Sequence, residues 1–116
     1  MAYELEKLTH IALLFDFYGV LLTEKQKTAL NLFYNEDCTL NEIAEEFATS
    51  RQAVFDLIRR SEAILEKYEK QLKIAAKHQK QQLLLDRLET KAHLMLTDKS
   101  AQKEFFGLLQ TIKEGE

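Results

Sequence analysis

The chain has 116 residues, 46% of them apolar, which suits one domain or a small domain with an appendage. It contains no Pro and only three Gly, and because helix interiors exclude Pro and disfavour Gly, we expect an all-α fold. The net charge of −3 argues against a protein that coats nucleic acid nonspecifically. The single cysteine, Cys38, excludes an intrachain disulfide and fits a reducing compartment.

Membrane insertion and secretion are not expected either. The longest apolar-rich run, residues 11–22, is interrupted by Asp16 and Gly19 and is too short to span a bilayer. The first ten residues lack the basic-then-apolar form of a secretion signal. We therefore expect a cytoplasmic protein.

Apolar residues at spacings of three and four predict a first helix over residues 3–18. Gly19 suits the left-handed conformation that often ends a helix. The predicted buried stripe of this helix consists of Leu5, Leu8, Ile11, Ala12 and Phe15.

Two capping boxes predict the starts of the next two helices. Thr23 is followed three residues later by Gln26, and Thr39 by Glu42, so that each pair can satisfy two otherwise unpaired backbone donors. Residues 35–37 break the pattern between these helices and indicate a loop. The expected buried residues are Ala29, Leu30, Phe33 and Tyr34 in the second helix, and Leu40, Ile43, Ala44 and Phe47 in the third.

A tight turn and a fourth helix follow, and residues 39–60 together indicate a helix-turn-helix. Ala48 occupies the turn position that often holds Gly, which predicts a positive φ angle for it. Ser50 is the predicted N-cap of the fourth helix. The apolar stripe from Val54 onward continues past the usual length of a recognition helix and predicts an unbroken helix to about Gln82.

The remainder is rich in leucine. Leucines and Met95 dominate residues 83–96, Thr97 and Asp98 indicate a break, and residues 105–112 predict a last amphipathic helix. We divide the chain into a helix-turn-helix head, residues 1–66, and a helical tail, residues 67–116. The tail can pack on the head or act as a dimerisation element with a second copy of the chain.

The candidate site lies on the recognition helix, the second helix of the helix-turn-helix. With Val54 and Leu57 or Ile58 facing inward, Arg and Gln side chains on the outer face can contact base edges or phosphates, and Phe55 can anchor a protein partner. Residues 23–62 hold eight acidic and five basic residues, which weakens DNA binding. The candidate residues are Ser50, Arg51, Gln52, Phe55, Asp56, Arg59 and Arg60.

A second candidate is a basic stripe for RNA or phosphate. Its members, spaced three and four apart, are Lys70, Lys73, Lys77 and Lys80. The alternative is a solvated helix face supported by the local pairs Glu66–Lys70 and Glu69–Lys73.

No enzymatic site, cofactor or metal is expected. The chain has no glycine-rich phosphate loop, nucleophile elbow or CxxC motif. Asp86, Glu89 and His93 share a helix face, but three ligands without a fourth more often form an ordinary surface.

Several motifs resemble known families. Residues 22–26, 40–44 and 50–54 look like the fourth region of bacterial sigma factors, which binds promoter DNA. A closer resemblance is to the YlxM-like family. It is carried over about residues 5–72 by LFDFYG (14–19), LLTEKQ (21–26), EIAEEF (42–47), SRQAV (50–54) and ILEKYE (64–69).

This resemblance implies a small cytoplasmic helical protein with a sigma-like helix-turn-helix, whose recognition helix starts at residues 50–54. The genes of the family sit beside that of the signal recognition particle GTPase, which implies a role in that pathway. Phe55 and Leu57 depart from the Tyr and Asn that the family usually has there. Our leading hypothesis is a non-enzymatic accessory protein that binds the particle's GTPase or RNA. The alternatives are a sequence-specific DNA-binding regulator and a structural dimerisation module.

Overall fold

The computed structural model describes residues 2–115, with side chains from residue 5 onward. Within this range the chain folds into six α-helices and no strand, which confirms the all-α prediction. The helices are α1 (Ala2–Tyr18), α2 (Glu24–Leu30), α3 (Leu40–Glu46), α4 (Arg51–Leu72), α5 (Ile74–Met95) and α6 (Lys99–Lys113). A 3-10 turn (Gly19–Leu21) follows α1, and a π-helical turn (Asn31–Asn35) follows α2.

The described residues divide after Ala75 into two compact units. The N-terminal unit contains α1 to α4, and the C-terminal unit contains most of α5 and all of α6. The sequence-based boundary between residues 66 and 67 falls inside α4, which continues unbroken to Leu72.

The core of the N-terminal unit is formed by one stripe from each of its helices. Every fully buried Leu, Ile or Val side chain in such a core contributes about 1.5–3 kcal/mol. The members that are least exposed are Ile11, Leu14 and Tyr18 from α1, Ala29 and Leu30 from α2, Ile43 from α3, and Val54, Ser61 and Leu65 from α4. The π-helical turn adds the partly buried rings of Phe33 and Tyr34.

The predicted buried face of α1 is wrong in its first half. Leu5 and Leu8 are 65% and 45% exposed, whereas Leu14 and Tyr18 are buried. This helix is apolar on nearly every side, so spacing alone does not select the face that packs against α4.

The predicted end of α1 is also corrected. The helix does end before Gly19, but Gly19 starts the 3-10 turn and does not adopt a positive φ angle. The ring of Phe15 lies 3.6 Å from the place that a Cβ would take, and the residue is buried. A Cβ at this distance would make an ordinary van der Waals contact, so neither the backbone conformation nor the packing requires Gly at position 19.

The local start signals are confirmed. Thr23 with Gln26 and Thr39 with Glu42 both form complete capping boxes, and Ser50 accepts a hydrogen bond from the Ala53 backbone. The predicted break at residues 97–98 is present as well, and Asp98 caps α6 by accepting from the Ala101 backbone.

The helix predicted to run to about Gln82 is broken at Lys73, which adopts a left-handed conformation with a φ of 56°. Its backbone N–H makes the last bond of α4, to the Glu69 carbonyl at 2.8 Å. The new helix then starts with two backbone donors that are satisfied by side chains. Ile74 N–H donates to the Tyr18 hydroxyl, and Ala75 N–H donates to the Glu69 carboxylate, each at 3.0 Å.

Candidate partner-binding site on the recognition helix

The turn between α3 and α4 has the geometry of a helix-turn-helix. Ala48 takes the predicted positive φ, at 51°. The Thr49 backbone N–H donates to the Ala44 carbonyl at 2.9 Å, which closes the end of α3. Ser50 then caps α4, so this candidate residue stabilises the start of the recognition helix.

The buried stripe of α4 fixes the orientation of the recognition helix. Val54, Ile58 and Ser61 face the core, and Leu57 is only partly buried. The opposite side and the two flanks carry the other candidate residues: Arg51, Gln52, Phe55, Arg59 and Arg60 are exposed, and Asp56 is half-buried.

Two groups that could contact bases bind each other on the outer face. The Gln52 side-chain amide donates to Asp56 Oδ1 at 3.0 Å, one helical turn further along. The donors of Gln52 are therefore partly occupied, and a carboxylate stands in the middle of the face. A base edge or phosphate would have to displace this pair.

Phe55 lies on one flank of α4, beside an apolar pocket of about 280 Å³. The ring is 40% exposed, and the Arg59 guanidinium lies 5.4 Å from its centroid. Residues of α1, the π-helical turn, α3 and α4 form the pocket, so its shape depends on the tertiary fold. Its lining residues are Lys7, Leu8, Phe33, Tyr34, Leu40, Phe55, Ile58, Arg59 and Glu62.

Glu62 is the functional candidate that the sequence pattern does not reveal. The residue is 7% exposed, its carboxylate accepts a hydrogen bond from the Tyr34 hydroxyl, and the Arg59 guanidinium lies 3.8 Å from that carboxylate. Burial, and then the hydrogen bond to Glu62, raises the pKa of Tyr34. The signal in the sequence that indicates its burial is its position, because Glu62 follows the buried Ile58 by one helical turn.

The other flank of α4 carries a smaller, more polar pocket of about 240 Å³. Lys25 and Arg60 line it, together with Gln26 and Thr49, and no acidic residue does. In the part of the chain that the structure describes, neither cation forms an ion pair. This arrangement suits an anionic group.

The lysine stripe is distributed over two helices. Lys70 lies in the last turn of α4, Lys73 is the left-handed residue between the helices, and Lys77 and Lys80 belong to α5. All four side chains are exposed. The single continuous helix that the stripe presumes is therefore absent.

The acidic residues of α5 contact a lysine. Lys113 Nζ lies 2.9 Å from Asp86 Oδ1 and also contacts Glu89, while the His93 ring stacks on Phe106 with centroids 4.2 Å apart. Among the side chains that the structure describes, those of residues 5–115, there is no group of three from His, Cys, Asp or Glu arranged to hold a metal ion. None of the described helices is both long and apolar enough to cross a membrane.

Comparison with known proteins identifies the family. A family model described as "Putative helix-turn-helix protein, YlxM / p13 like" matches residues 5–106. Relatives named UPF0122 protein in Bacillus cereus strain AH187, Bacillus anthracis strain A0248 and Bacillus thuringiensis subsp. konkukian strain 97-27 are each 52% identical over 85 residues. The match covers 73% of this chain and 77% of each relative. The chain therefore belongs to the UPF0122 family of YlxM- and p13-like helix-turn-helix proteins.

Proposed function

We propose that this protein is a cytoplasmic, non-enzymatic accessory protein of the signal recognition particle pathway. It binds the particle's protein GTPase through Phe55 and the adjoining apolar pocket. The pathway is suggested by the gene neighbourhood that the family resemblance implies, and the mode of binding by the geometry of α4.

The open pocket beside Phe55 is the observation that carries the proposal. An exposed aromatic ring at the edge of an apolar cavity is the arrangement that anchors protein partners. Lys7 and Arg59 add positive charge to the lining. Glu62 offsets one of these charges through its ion pair with Arg59, so Lys7 carries the positive charge that is left over. The complementary partner is a segment with an apolar side chain next to an acidic residue.

The outer face of the recognition helix supports a protein partner over nucleic acid. The pair of Gln52 and Asp56 occupies base-reading groups, and the carboxylate repels phosphate. The eight acidic and five basic residues of segment 23–62 act in the same direction.

The test is titration of the full chain into the purified GTPase, with calorimetry to measure the Kd. We expect a saturable complex, and Phe55→Ala weakens it by about tenfold or more because the anchor is lost. The matched control is Leu21→Ala, which removes an exposed apolar side chain from the 3-10 turn. The proposal fails if the GTPase does not bind, or if the two variants bind equally well. Binding to the particle's RNA alone would also contradict it.

A second candidate function is sequence-specific DNA binding, and Lys25 and Arg60 favour it. Two cations converge on one pocket beside the recognition helix without an acidic neighbour in its lining, as a phosphate site requires. In this function Arg51 and Gln52 read bases, with Asp56 beside them.

The DNA-binding function predicts a salt-sensitive complex with duplex DNA. Arg60→Ala would weaken that complex for all sequences, whereas Arg51→Ala would relax the choice of sequence. Absence of any complex with a genomic DNA pool at low salt would exclude it.

A further inference from the structure

The two helices of the C-terminal unit pack as an antiparallel hairpin. Lys113, near the end of α6, contacts Asp86 and Glu89 on α5, and Phe106, earlier in α6, stacks on His93, which lies later in α5. The Gln102 side chain donates to the Leu96 carbonyl at 2.6 Å close to the connection. Early residues of α5 thus contact late residues of α6, and late residues of α5 contact early residues of α6, as in an antiparallel pair.

This hairpin buries little apolar surface of its own. Among its described residues, the buried apolar ones are Leu85, Ala92 and Leu109, which are 4–8% exposed. Even with the partly buried Leu96, Phe105 and Phe106, so few side chains do not offset the conformational entropy of two ordered helices. A unit of this kind needs a further surface to pack against.

The hairpin has one apolar face that remains open. On α5, three side chains lie about a quarter turn around the helix from its buried side: Leu84, Leu88 and Met95. On α6, two side chains lie about a quarter turn from its buried side with the same sense of rotation: Leu108 and Ile112. Because the helices are antiparallel, both stripes fall on the same side of the hairpin. We call these five residues the apolar face, and they are between 48% and 76% exposed.

The polar contacts of the hairpin lie on its other side. On α5, the positions of Asp86 and His93 are rotated from the buried stripe in the direction opposite to the apolar face. The same is true of Phe106 and Lys113 on α6. The hairpin is therefore a two-helix layer with one polar and one apolar side. This is half of a four-helix bundle.

We propose that a second copy of this chain docks on the apolar face, so that two hairpins form a four-helix bundle about a two-fold axis. A two-fold contact is formed by the same patch on both partners, and a flat apolar layer of two helices is self-complementary in this way. The face presents on the order of 500 Å² per chain, so a pair buries about 1,000 Å², the size at which specific interfaces begin.

Charges at the edges of the face favour one arrangement of the two copies. Lys91 follows Leu88 by three residues and lies at the α5 edge, whereas Glu104 precedes Leu108 by one helical turn and lies at the α6 edge. With each α5 over the α6 of its partner, opposite charges meet across the interface. With α5 over α5, the Lys91 side chains would meet and repel.

The test is the molar mass of the full chain, measured by sedimentation equilibrium over a range of concentrations. We expect a dimer for the wild type. Leu88→Glu and Leu108→Glu each raise the dimer Kd by about 100-fold or more, because the two-fold axis places every new charge in the interface twice. Leu94→Glu is the matched control, since Leu94 is 80% exposed but lies on the side of α5 away from the buried stripe, outside the apolar face.

Charge exchange provides a second readout that does not depend on the apolar core. Lys91→Glu weakens the dimer, and the double variant Lys91→Glu with Glu104→Lys restores it. Circular dichroism verifies that every variant keeps the helical content of the wild type. A monomeric wild type at high micromolar concentration would overturn the proposal, and so would equal effects of Leu88→Glu and Leu94→Glu.

Discussion

The Tyr18 hydroxyl donates a hydrogen bond of 2.5 Å to Glu69 Oε1, although the two residues are 51 positions apart in the chain. The same hydroxyl accepts from Ile74 N–H, and the same carboxylate oxygen accepts from Ala75 N–H. One partly buried pair thus joins α1 to α4 and also caps the first turn of α5. The end of α4 lies at this contact, and no Pro or Gly is present there.

Removal of the Tyr18 hydroxyl is expected to destabilise the N-terminal unit. Tyr18→Phe keeps the ring but leaves Ile74 N–H without its acceptor and Glu69 without one of its donors. The folding equilibrium constant should fall by roughly tenfold or more, because buried polar groups lose their partners. Urea unfolding, followed by circular dichroism, measures the change.

The matched control for that variant is Tyr68→Phe. Tyr68 stacks on the Tyr18 ring with centroids 6.0 Å apart and is partly buried. In the described structure its hydroxyl has no hydrogen bond, so the substitution should change stability little. If both variants unfold at the same urea concentration, the capping role of Tyr18 is wrong.

The starts of the helices could be predicted from the sequence because their signals are local. A capping box needs only a hydroxyl and a carboxylate or amide three residues apart, as in Thr39 and Glu42. The exposure of Phe55 followed in the same way from the buried positions of Val54 and Ile58 on the same helix. The sequence pattern is sufficient to predict features of this kind, which depend on residues close together in the chain.

Features that depend on distant residues could not be predicted. The break at Lys73 is accompanied by the hydrogen bond from Ile74 N–H to Tyr18, a residue of another helix that spacing within α4 cannot reveal. The same holds for the pocket beside Phe55, since α1, the π-helical turn and α3 supply most of its walls. The spacing along α4 places Glu62 near the buried side, but its hydrogen bond with Tyr34 involves a residue of another element and cannot be predicted.

Ala48 occupies a position where glycine should stabilise the protein. Its φ of 51° is unfavourable for a residue with a Cβ, so Ala48→Gly relieves strain and should raise the free energy of unfolding by about 0.5–1 kcal/mol. Ala53→Gly is the control, because Ala53 is exposed within α4 and Gly there should lower stability by about 0.5–1 kcal/mol. Urea unfolding of both variants tests the opposite signs, and a loss of stability in Ala48→Gly would contradict the strained turn.

Cys38 should react slowly with thiol reagents while the protein is folded. Burial, and then the nearby carboxylate of Glu42, raises the pKa of its thiol, which lowers the fraction of reactive thiolate near neutral pH. We expect alkylation by iodoacetamide to be several-fold slower than in the protein unfolded by guanidinium.

Glu42→Gln should increase the rate in the folded state, although it also weakens the cap of α3. Thr39→Ala weakens the same cap without removing the carboxylate, so it serves as the control. Equal rates for the two variants would show that the charge of Glu42 does not act on Cys38.

Stability should decrease in alkaline solution because two tyrosines are held neutral in the fold. Burial, followed by the hydrogen bond to a carboxylate, raises the pKa of Tyr18 beside Glu69 and of Tyr34 beside Glu62. A folded pKa above the unfolded value of about 10 gives stability that is complete below that pH and is lost as the pH rises through the folded pKa. The urea midpoint should therefore begin to fall at about pH 10 and continue to fall as the pH rises further. In a titration followed by near-ultraviolet absorbance, part of the tyrosinate should form at a higher pH in the folded protein than in guanidinium.

Tyr34→Phe should remove one of these high-pH ionisations. A titration curve of the folded protein that coincides with that of the unfolded protein would contradict the burial of both hydroxyls.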